Sequence, residues 1–314
     1  MYRIGIDLGG TNIAVGLVDR AHRITERCSI PTDADRPVSA VIHDMALAVD
    51  SVLRQAGLTA ADCEGIGIGS PGTCDSERGT VVRAYNLHWF DVPVCQMLHD
   101  RFHLPVCLSN DANCAALAEN VAGAGRGVRD MVLITLGTGV GGGIILNGKI
   151  HSGLHSAGAE LGHTLLVLDG EPCTCGRRGC WEAYASVTAL IRQTQKAALA
   201  HPDSLLARVA PEAMTGRTAF EAADRGDMTA QTVIDRYCIY IAAGCTDIVN
   251  ALAPEMILLG GGISREGERI LQPIRAYVAD HCFGRHEGAV PVIATAQLGS
   301  EAGIIGAAAL CGMS

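Results

Sequence analysis

Two segments of the sequence repeat one pattern, in which a hydrophobic strand runs into a glycine turn and a second hydrophobic strand follows. Residues 2–19 read YRIGIDLGGTNIAVGLVD, and residues 131–149 read MVLITLGTGVGGGIILNGK. The alternation of apolar residues predicts strands on both sides of each turn. The similarity of DLGGT to TLGTG indicates an internal duplication, and the length of 314 residues predicts two domains.

The first glycine turn has the composition of a phosphate-binding loop. It contains Gly9, Gly10, Thr11 and Asn12, and Asp7 precedes it. Glycines let a phosphate approach the backbone amides, and the threonine hydroxyl can donate a hydrogen bond to it. Asp7 can organise a magnesium ion through its waters. The alternative is a plain hairpin, since Gly-Gly is a usual two-residue turn.

The second glycine turn, Gly137, Thr138 and Gly139, also matches part of a dinucleotide-binding motif. Together with Gly142 it reads G-x-G-x-x-G after a strand. A Rossmann site needs a helix directly after the glycines, whereas residues 144–149 read IILNGK, which is typical of a strand. The sequence therefore argues against a dinucleotide site and favours a second phosphate turn.

Glycines also mark two further strand ends. Residues 65–69 read GIGIG, which we interpret as too glycine-rich to be purely structural, and the turn at Gly72 follows. Residues 256–259 predict another buried strand, and three glycines follow it: Gly260, Gly261 and Gly262. Ligands of α/β proteins bind at the carboxyl ends of strands, and bare glycine backbone suits a flat ring. The alternative for the three glycines is a tight strand-to-helix turn.

Asp111 lies at one more strand end. Residues 106–108 predict a short strand and residues 114–121 a helix, so that Asp111 falls between them in the segment NDAN. A carboxylate in this place can accept a proton from a substrate hydroxyl. From position alone, an N-cap for the helix is the better explanation of Asp111.

The stretch ELGHTLLVLDGEPCTCGRRGCWE, from Glu160 to Glu182, concentrates metal-binding side chains. Its candidate ligands are one histidine and three cysteines: His163, Cys173, Cys175 and Cys180. Four nitrogen and sulfur ligands can close a structural zinc site. The alternative is a set of reduced core cysteines, because thiols bury well. The loop is polar and rich in turn residues, with no apolar period that would bury the thiols, so we favour zinc.

Composition and charge argue against several classes of protein. The net charge of −9 gives no basic surface for nucleic acid, and no apolar run reaches the roughly 18 residues of a membrane span. The chain has 13 cysteines, an odd number, and no secretory signal opens it. We therefore expect reduced thiols and a cytoplasmic protein rather than a disulfide framework.

The pattern ExGH followed by C-x-C-G-x-x-G-C-x-E resembles the signature of the ROK family (repressor, open reading frame, kinase), and within it the bacterial glucokinases. This resemblance implies an α/β chain of two domains with the actin/hexokinase-like, ribonuclease H-like ATPase fold and a cleft between the domains. The small domain would comprise residues 1–118 plus 301–314, because the final helix returns to it. Residues 119–300 would form the large domain with the zinc loop.

The resemblance also implies roles for individual residues. The two glycine turns and Mg²⁺ would hold the phosphates of ATP, and glycines 260–262 would hold the adenosine. Asp111 would be the catalytic base. The hexose would contact residues from several segments: Gly72, Asn86, Asn110, Asp111, Glu160, His163 and Glu182. Many glucokinase relatives have a glycine before the tryptophan of YNLHW, where this chain has His88.

These features favour an ATP-dependent hexose kinase that acts on the 6-hydroxyl, with glucose as the expected substrate. N-acetylmannosamine or N-acetylglucosamine is the alternative substrate. A sugar-responsive repressor of the same family is the alternative class, which we disfavour because the first strand begins almost at Met1 and leaves no room for a helix-turn-helix. The family also implies a homodimer or a homotetramer.

Overall fold

The computed structural model describes residues 1–312. Its strands are β1 (Tyr2–Leu8), β2 (Asn12–Val18), β3 (Ile24–Pro31), β4 (Cys63–Ser70), β5 (Thr73–Asp75), β6 (Thr80–Ala84), β7 (Trp89–Val92), β8 (Val106–Asn110), β9 (Met131–Leu136), β10 (Val140–Leu146), β11 (Lys149–Ile150), β12 (Met256–Gly260) and β13 (Val292–Thr295). Its helices are α1 (Val38–Ala56), α2 (Val94–Phe102), α3 (Asp111–Val121), α4 (Glu182–Ala185), α5 (Val187–Ala200), α6 (Thr218–Asp224), α7 (Met228–Leu252), α8 (Glu268–His281) and α9 (Ala302–Leu310). This mixture confirms the predicted α/β class.

The first sheet brings three strand ends to one edge. Its order is β3-β2-β1-β4-β8, in which β1 pairs in parallel with β4, and β4 pairs in parallel with β8. In this register Asp7 lies opposite Gly69, and Ser70 lies opposite Asn110. Because the three strands run in the same direction, Asp7, Ser70 and Asn110 all lie at the carboxyl edge of the sheet. Ligands of α/β sheets bind at this edge.

The glycines of β1 and β4 let α9 approach the sheet closely. A Cβ atom added to Gly67 would lie 1.7 Å from the carbonyl oxygen of Ala307. A Cβ atom added to Gly5 would lie 2.0 Å from the carbonyl oxygen of Ile304. Any larger residue would push the helix away from the sheet. The sequence interpretation of GIGIG as more than structural is therefore wrong at Gly67, where helix packing explains the glycine.

The core of the first sheet is built from the apolar side chains of its strands and of α1. Ile4 and Ile6 of β1 are fully buried, and α1 buries Val41 and Met45 on one face. This helix ends at Ala56, and the residue after it, Gly57, has a φ of 66°. Glycine adopts this left-handed conformation without the steric penalty of other residues and caps the helix.

The second sheet has the order β11-β10-β9-β12-β13, and β12 pairs in parallel with β13. A strand, β10, follows Gly139 directly, so the argument against a Rossmann site is confirmed. A third, small sheet has the order β5-β6-β7, in antiparallel pairs. Among residues 1–312, the helices are all too short or too polar to cross a bilayer.

The chain forms two compact units. Unit 1 comprises residues 1–133, 143–159 and 296 onward, and unit 2 comprises residues 134–142 and 160–295. In unit 1, the buried carboxylate of Glu119 accepts hydrogen bonds from the backbone N–H groups of Gln297 and Leu298, each at 2.8 Å. This carboxylate fixes the segment before α9 to α3. The domain limits expected from the sequence, 118/119 and 300/301, stay a prediction.

Candidate active site

One buried threonine, which follows β3, fixes the first glycine turn by hydrogen bonds. The backbone N–H of Gly9 donates to the carbonyl of Asn12 at 2.9 Å and closes the turn between β1 and β2. The hydroxyl of Thr32, which is fully buried, donates to the carbonyl of Gly9 at 2.6 Å. The backbone N–H of Thr32 donates to the carbonyl of Thr11 at 2.9 Å. These bonds fix the turn from the side of β3 and leave Thr11 and Asn12 exposed.

Asp7 and Asp111 form an acidic pair at the carboxyl edge of the first sheet. Burial, and to a smaller extent the negative charge of Asp111, raise the pKa of Asp7 to about 6. Burial also raises the pKa of Asp111, although a hydrogen bond from the backbone N–H of Ala112 opposes this effect. Asp111 keeps solvent-accessible surface, so its carboxyl is crowded by protein and still reachable. Such a pair attracts a cation and can accept protons.

Asn110, rather than Asp111, caps helix α3. The side-chain oxygen of Asn110 accepts a hydrogen bond from the backbone N–H of Asn113 at 2.9 Å. Asp111 is the first residue of the helix, and its Oδ1 accepts from the backbone N–H of Ala112 at 2.8 Å and from Nδ2 of Asn110 at 3.1 Å. The structural need for a cap is therefore met without Asp111. The alternative explanation from the sequence, Asp111 as the N-cap, is wrong.

Asn86 and Gly72 lie on the same unit as the acidic pair. A Cβ atom added to Gly10 would lie 3.2 Å from Nδ2 of Asn86, so Asn86 borders the first glycine turn. Gly72 has a φ of 86° and lies against the carbonyl of Arg83. His88, the residue that departs from the family pattern, has a φ of 54°. Glycine adopts this left-handed conformation without the steric penalty that a side chain brings.

The second glycine turn is held by unit 2. The backbone N–H of Val187 donates to the carbonyl of Gly137 at 2.8 Å, and the hydroxyl of Thr188 donates to the carbonyl of Thr138 at 2.8 Å. Both donors belong to the first turn of α5. Gly261, with a φ of 88°, lies against the carbonyl of Leu136. The glycines after β12 thus border the second glycine turn.

Glu182 connects the second glycine turn to the cysteine loop. Its Oε2 accepts a hydrogen bond from the backbone N–H of Val140 at 3.0 Å, and its Oε1 accepts one from the hydroxyl of Thr174 at 3.0 Å. A Cβ atom added to Gly139 would lie 2.3 Å from the same Oε2. A side chain at position 139 would therefore displace the Glu182 carboxylate.

The predicted metal ligands converge on one point. The ligand atoms of the four residues lie within 4.8 Å of one another: His163, Cys173, Cys175 and Cys180. Nδ1 of His163 lies 3.6 Å from Sγ of Cys173, and Sγ of Cys175 lies 3.7 Å from Sγ of Cys180. A tetrahedron of sulfur atoms about 2.3 Å from zinc has edges of about 3.8 Å. The spacing therefore fits a tetrahedral zinc ion.

The electrostatics of the cysteine loop also suit a cation. A backbone N–H from Arg177 lowers the pKa of Cys175. Burial and the neighbouring thiols raise the pKa of Cys180 to about 12, and burial raises that of Cys173. Crowded thiols oppose one another's ionisation, and a metal ion reverses this effect because it ligates thiolates. The alternative of core cysteines does not fit Cys175, which is exposed, whereas Cys180 is buried.

Glu160 has an exposed side chain, and its carbonyl accepts a hydrogen bond from the backbone N–H of His163 at 3.0 Å. The residue before it, Ala159, has a φ of 63°. This conformation is costly for alanine, and such strain clusters at functional sites.

Comparison with known proteins identifies the family. Residues 3–313 match the profile described as the ROK family. The chain belongs to the ROK family. A glucokinase from Halalkalibacterium halodurans is 38% identical to it over 309 residues, which are 97% of this chain and 93% of that protein.

Two solved structures extend the likeness to three dimensions. A ROK family glucokinase from Streptomyces griseus in complex with glucose and AMPPNP is 37% identical, with a TM-score of 0.81 over 100% of both chains. A ROK hexokinase from Thermus thermophilus is 34% identical, with a TM-score of 0.82 over 99% of this chain and 97% of that one. This ROK chain therefore has the actin/hexokinase-like α/β fold.

Several contacts of this ROK chain have no signal in its sequence. Thr32, Thr174 and Thr188 each donate a hydroxyl to the candidate site, but isolated threonines are common and mark nothing by themselves. Gly303 is a similar case, because a Cβ atom there would lie 2.3 Å from Oδ2 of Asp7. Such residues become recognisable only when the fold places them beside the motifs.

Proposed function

We propose that this chain is an ATP-dependent hexose kinase that converts glucose to glucose 6-phosphate. The observation that carries the proposal is Asp111. It lies at the first position of α3, its cap function is taken by Asn110, and its pKa is raised. The full-length similarity to glucokinases supports the same activity. We also propose that the protein is cytoplasmic and forms a homodimer or homotetramer.

Asp111 acts as the general base in this mechanism. Its carboxylate accepts the proton of the sugar 6-hydroxyl while the hydroxyl oxygen attacks the γ-phosphorus of ATP, and ADP leaves. A raised pKa makes the ionised carboxylate a stronger base and brings it nearer to the working pH. Asn110 and Asn86 are polar side chains on the same unit and contact the hexose.

The glycine turns hold the phosphates of ATP. The N–H groups of Gly9 and Gly137 donate within the turns. Other backbone amides of the turns and the exposed hydroxyls of Thr11 and Thr138 donate hydrogen bonds to phosphate oxygens. Asp7 fits an Mg²⁺ site, because its carboxyl oxygens suit this ion and it lies beside a second carboxylate. When bound, Mg²⁺ neutralises charge on the phosphates. The adenosine lies against glycines 260–262, and the space beside Gly262 is open, since a Cβ atom there would meet nothing within 4 Å.

The hexose hydroxyls far from the reacting one contact Glu160, His163 and Glu182. We infer that His163, Cys173, Cys175 and Cys180 hold a structural zinc ion, which fixes the loop. Because the same loop binds Glu182 through Thr174, zinc also orients Glu182.

A coupled assay of sugar phosphate formation from ATP tests the proposal. Glucose, N-acetylmannosamine, N-acetylglucosamine and fructose are compared at equal enzyme concentration, and we expect the highest kcat/KM for glucose. A far higher kcat/KM for an N-acylated hexosamine would identify that sugar, rather than glucose, as the substrate. The absence of product with every sugar would refute the kinase and favour the repressor alternative.

A further inference from the structure

Unit 2 contains a cavity of about 590 Å³ outside the residues assigned above. It lies between the loop before Cys173 and the helices α5 and α7. The residues that matter for its chemistry are Glu171, Tyr184, Arg192, Gln193, Lys196 and Arg236. We propose that this cavity is a binding site for a hexose phosphate, separate from the catalytic residues.

Charge is the first argument for an anionic ligand. Arg192, Lys196 and Arg236 bring three positive charges into the lining of one cavity, against the single carboxylate of Glu171. The whole chain has a net charge of −9, so this local excess of positive charge stands out. Arginine and lysine are the side chains that bind phosphate groups.

Buried polar atoms give a second, independent argument. Among residues 1–312, Nε of Arg192 and Oε1 of Gln193 are buried without a hydrogen-bond partner. Nε of Arg192 lies 3.8 Å from Oε2 of Glu171, which is too long for a hydrogen bond. A buried polar group without a hydrogen-bond partner lowers the stability of the fold. Both residues line the cavity, where a hexose phosphate offers acceptor oxygens to the Arg192 side chain and donor hydroxyls to the Gln193 side chain.

The cavity also has an aromatic wall that suits a sugar ring. The rings of Tyr184 and Tyr240 lie 4.9 Å apart, and Nε of Arg236 donates to the hydroxyl of Tyr240 at 3.0 Å. Pockets for small molecules combine such an apolar surface with a few placed polar groups. The volume of about 590 Å³ is within the range of small-molecule sites.

Glu171 links this cavity to the cysteine loop. Its carboxylate forms an ion pair with Nζ of Lys196 at 2.6 Å, and its backbone N–H donates to the hydroxyl of Tyr184 at 2.7 Å. A phosphate that binds Lys196 and Arg192 competes with this carboxylate. Glu171 lies two residues before Cys173. A ligand that displaces the Glu171 carboxylate therefore shifts the loop that supports Glu182. This gives the site a route to regulate hexose binding.

Isothermal titration calorimetry on the full chain tests the proposal. The probes are glucose 6-phosphate and fructose 6-phosphate, with saturating glucose and a non-hydrolysable ATP analogue present throughout. We expect binding to the original protein and an approximately 10-fold rise in Kd for Lys196→Ala and for Arg236→Gln, each of which removes one charged contact. Arg208→Gln, an exposed cation outside the cavity, is the matched control and should leave Kd unchanged.

The two probes distinguish the sources of the ligand. Tighter binding of glucose 6-phosphate would assign the site to the product, and tighter binding of fructose 6-phosphate to another hexose phosphate. Equal Kd values in the original protein and both cavity variants would overturn the proposal, as would the absence of binding. A change in the sedimentation coefficient of either variant would assign the cavity to a subunit contact and overturn it too. The measurement needs no turnover, so a failure of the kinase activity would be a separate result.

Discussion

The two glycine turns have similar sequences and different supports. The first, Gly9 to Thr11, is held by the buried hydroxyl of Thr32 and stands beside two carboxyls whose pKa values are raised. The second, Gly137 to Gly139, is held by the first turn of α5 and by Glu182, whose other oxygen binds the cysteine loop. The first turn therefore depends on the sheet next to it, and the second depends on a loop with candidate metal ligands.

A duplicated glycine turn therefore need not keep the same neighbouring residues in both copies. The first turn combines backbone amides with acidic side chains, which suits a cation and a base. The second turn combines the same amides with a carboxylate that the cysteine loop orients. A change at the acidic pair should therefore act on chemistry, and a change at the cysteine loop should act on the second turn alone.

The largest effect is expected from Asp111→Asn. The amide keeps the size of the side chain but cannot accept a proton as the carboxylate does, so we expect kcat to fall by about 100- to 10,000-fold. Steady-state kinetics measure kcat, and equilibrium dialysis measures glucose binding, which should stay within about 3-fold. Zinc content should not change. A variant with full kcat would show that Asp111 is not the base.

Cys175→Ser tests whether the cysteine loop supports the second glycine turn and not the first. Loss of one ligand should weaken zinc binding by more than about 100-fold, since even outer contacts of a metal site change affinity by 10- to 100-fold. Amide hydrogen exchange should then speed up at 137–140 and 173–182 and stay unchanged at 9–12. Cys28→Ser, in β3 and outside the cluster, is the matched control and should keep its metal. Equal exchange at both turns would contradict the link through Glu182.

Much of this site can be predicted from the sequence, because its chemistry is concentrated in short segments. The cysteine loop, both glycine turns and the strand before Asp111 are local patterns. What the sequence does not give is the set of long-range partners. Thr32 is 23 residues from Gly9, and Glu119 accepts hydrogen bonds from residues 178 and 179 positions away. Side chains as common as these carry no local signal.

Packing explains the remaining errors of the sequence interpretation. The glycine-rich strand β4 resembles a binding segment, but Gly67 is needed where α9 approaches the sheet. Asp111 resembles an N-cap, but Asn110 occupies that position one residue earlier. In both cases two explanations fit the same residues. The position of α9 decides between them at Gly67, and the capping bond of Asn110 decides at Asp111.

The pH dependence of stability tests the acidic surroundings of the first turn. The pKa of Asp7 rises from 3.8 to about 6 on folding, so the folded chain binds this proton more tightly than the unfolded chain. The resulting stability is fully present below about pH 4 and is lost as the pH rises through about 6. Asp7→Asn should therefore gain stability relative to the original protein over this range, by at most about 3 kcal/mol. Urea unfolding at pH 4.5 and pH 7.5 measures the gain, and a difference that does not change with pH would contradict it.

The smallest effect, and the most direct comparison of the two turns, comes from a pair of threonines. Thr32 donates its hydroxyl to the first turn at 2.6 Å, and Thr188 donates its hydroxyl to the second at 2.8 Å. Thr32→Val should cost about 1 to 2 kcal/mol, because Thr32 is fully buried and the change leaves the carbonyl of Gly9 without this donor. Thr188 is exposed, so water replaces its hydroxyl, and Thr188→Val should cost less than about 0.5 kcal/mol. Urea unfolding of the two variants gives both values. Equal losses of unfolding free energy would mean that burial does not distinguish the Thr32 and Thr188 hydrogen bonds. A larger loss for Thr188→Val would show that the second turn depends more on its threonine than the first.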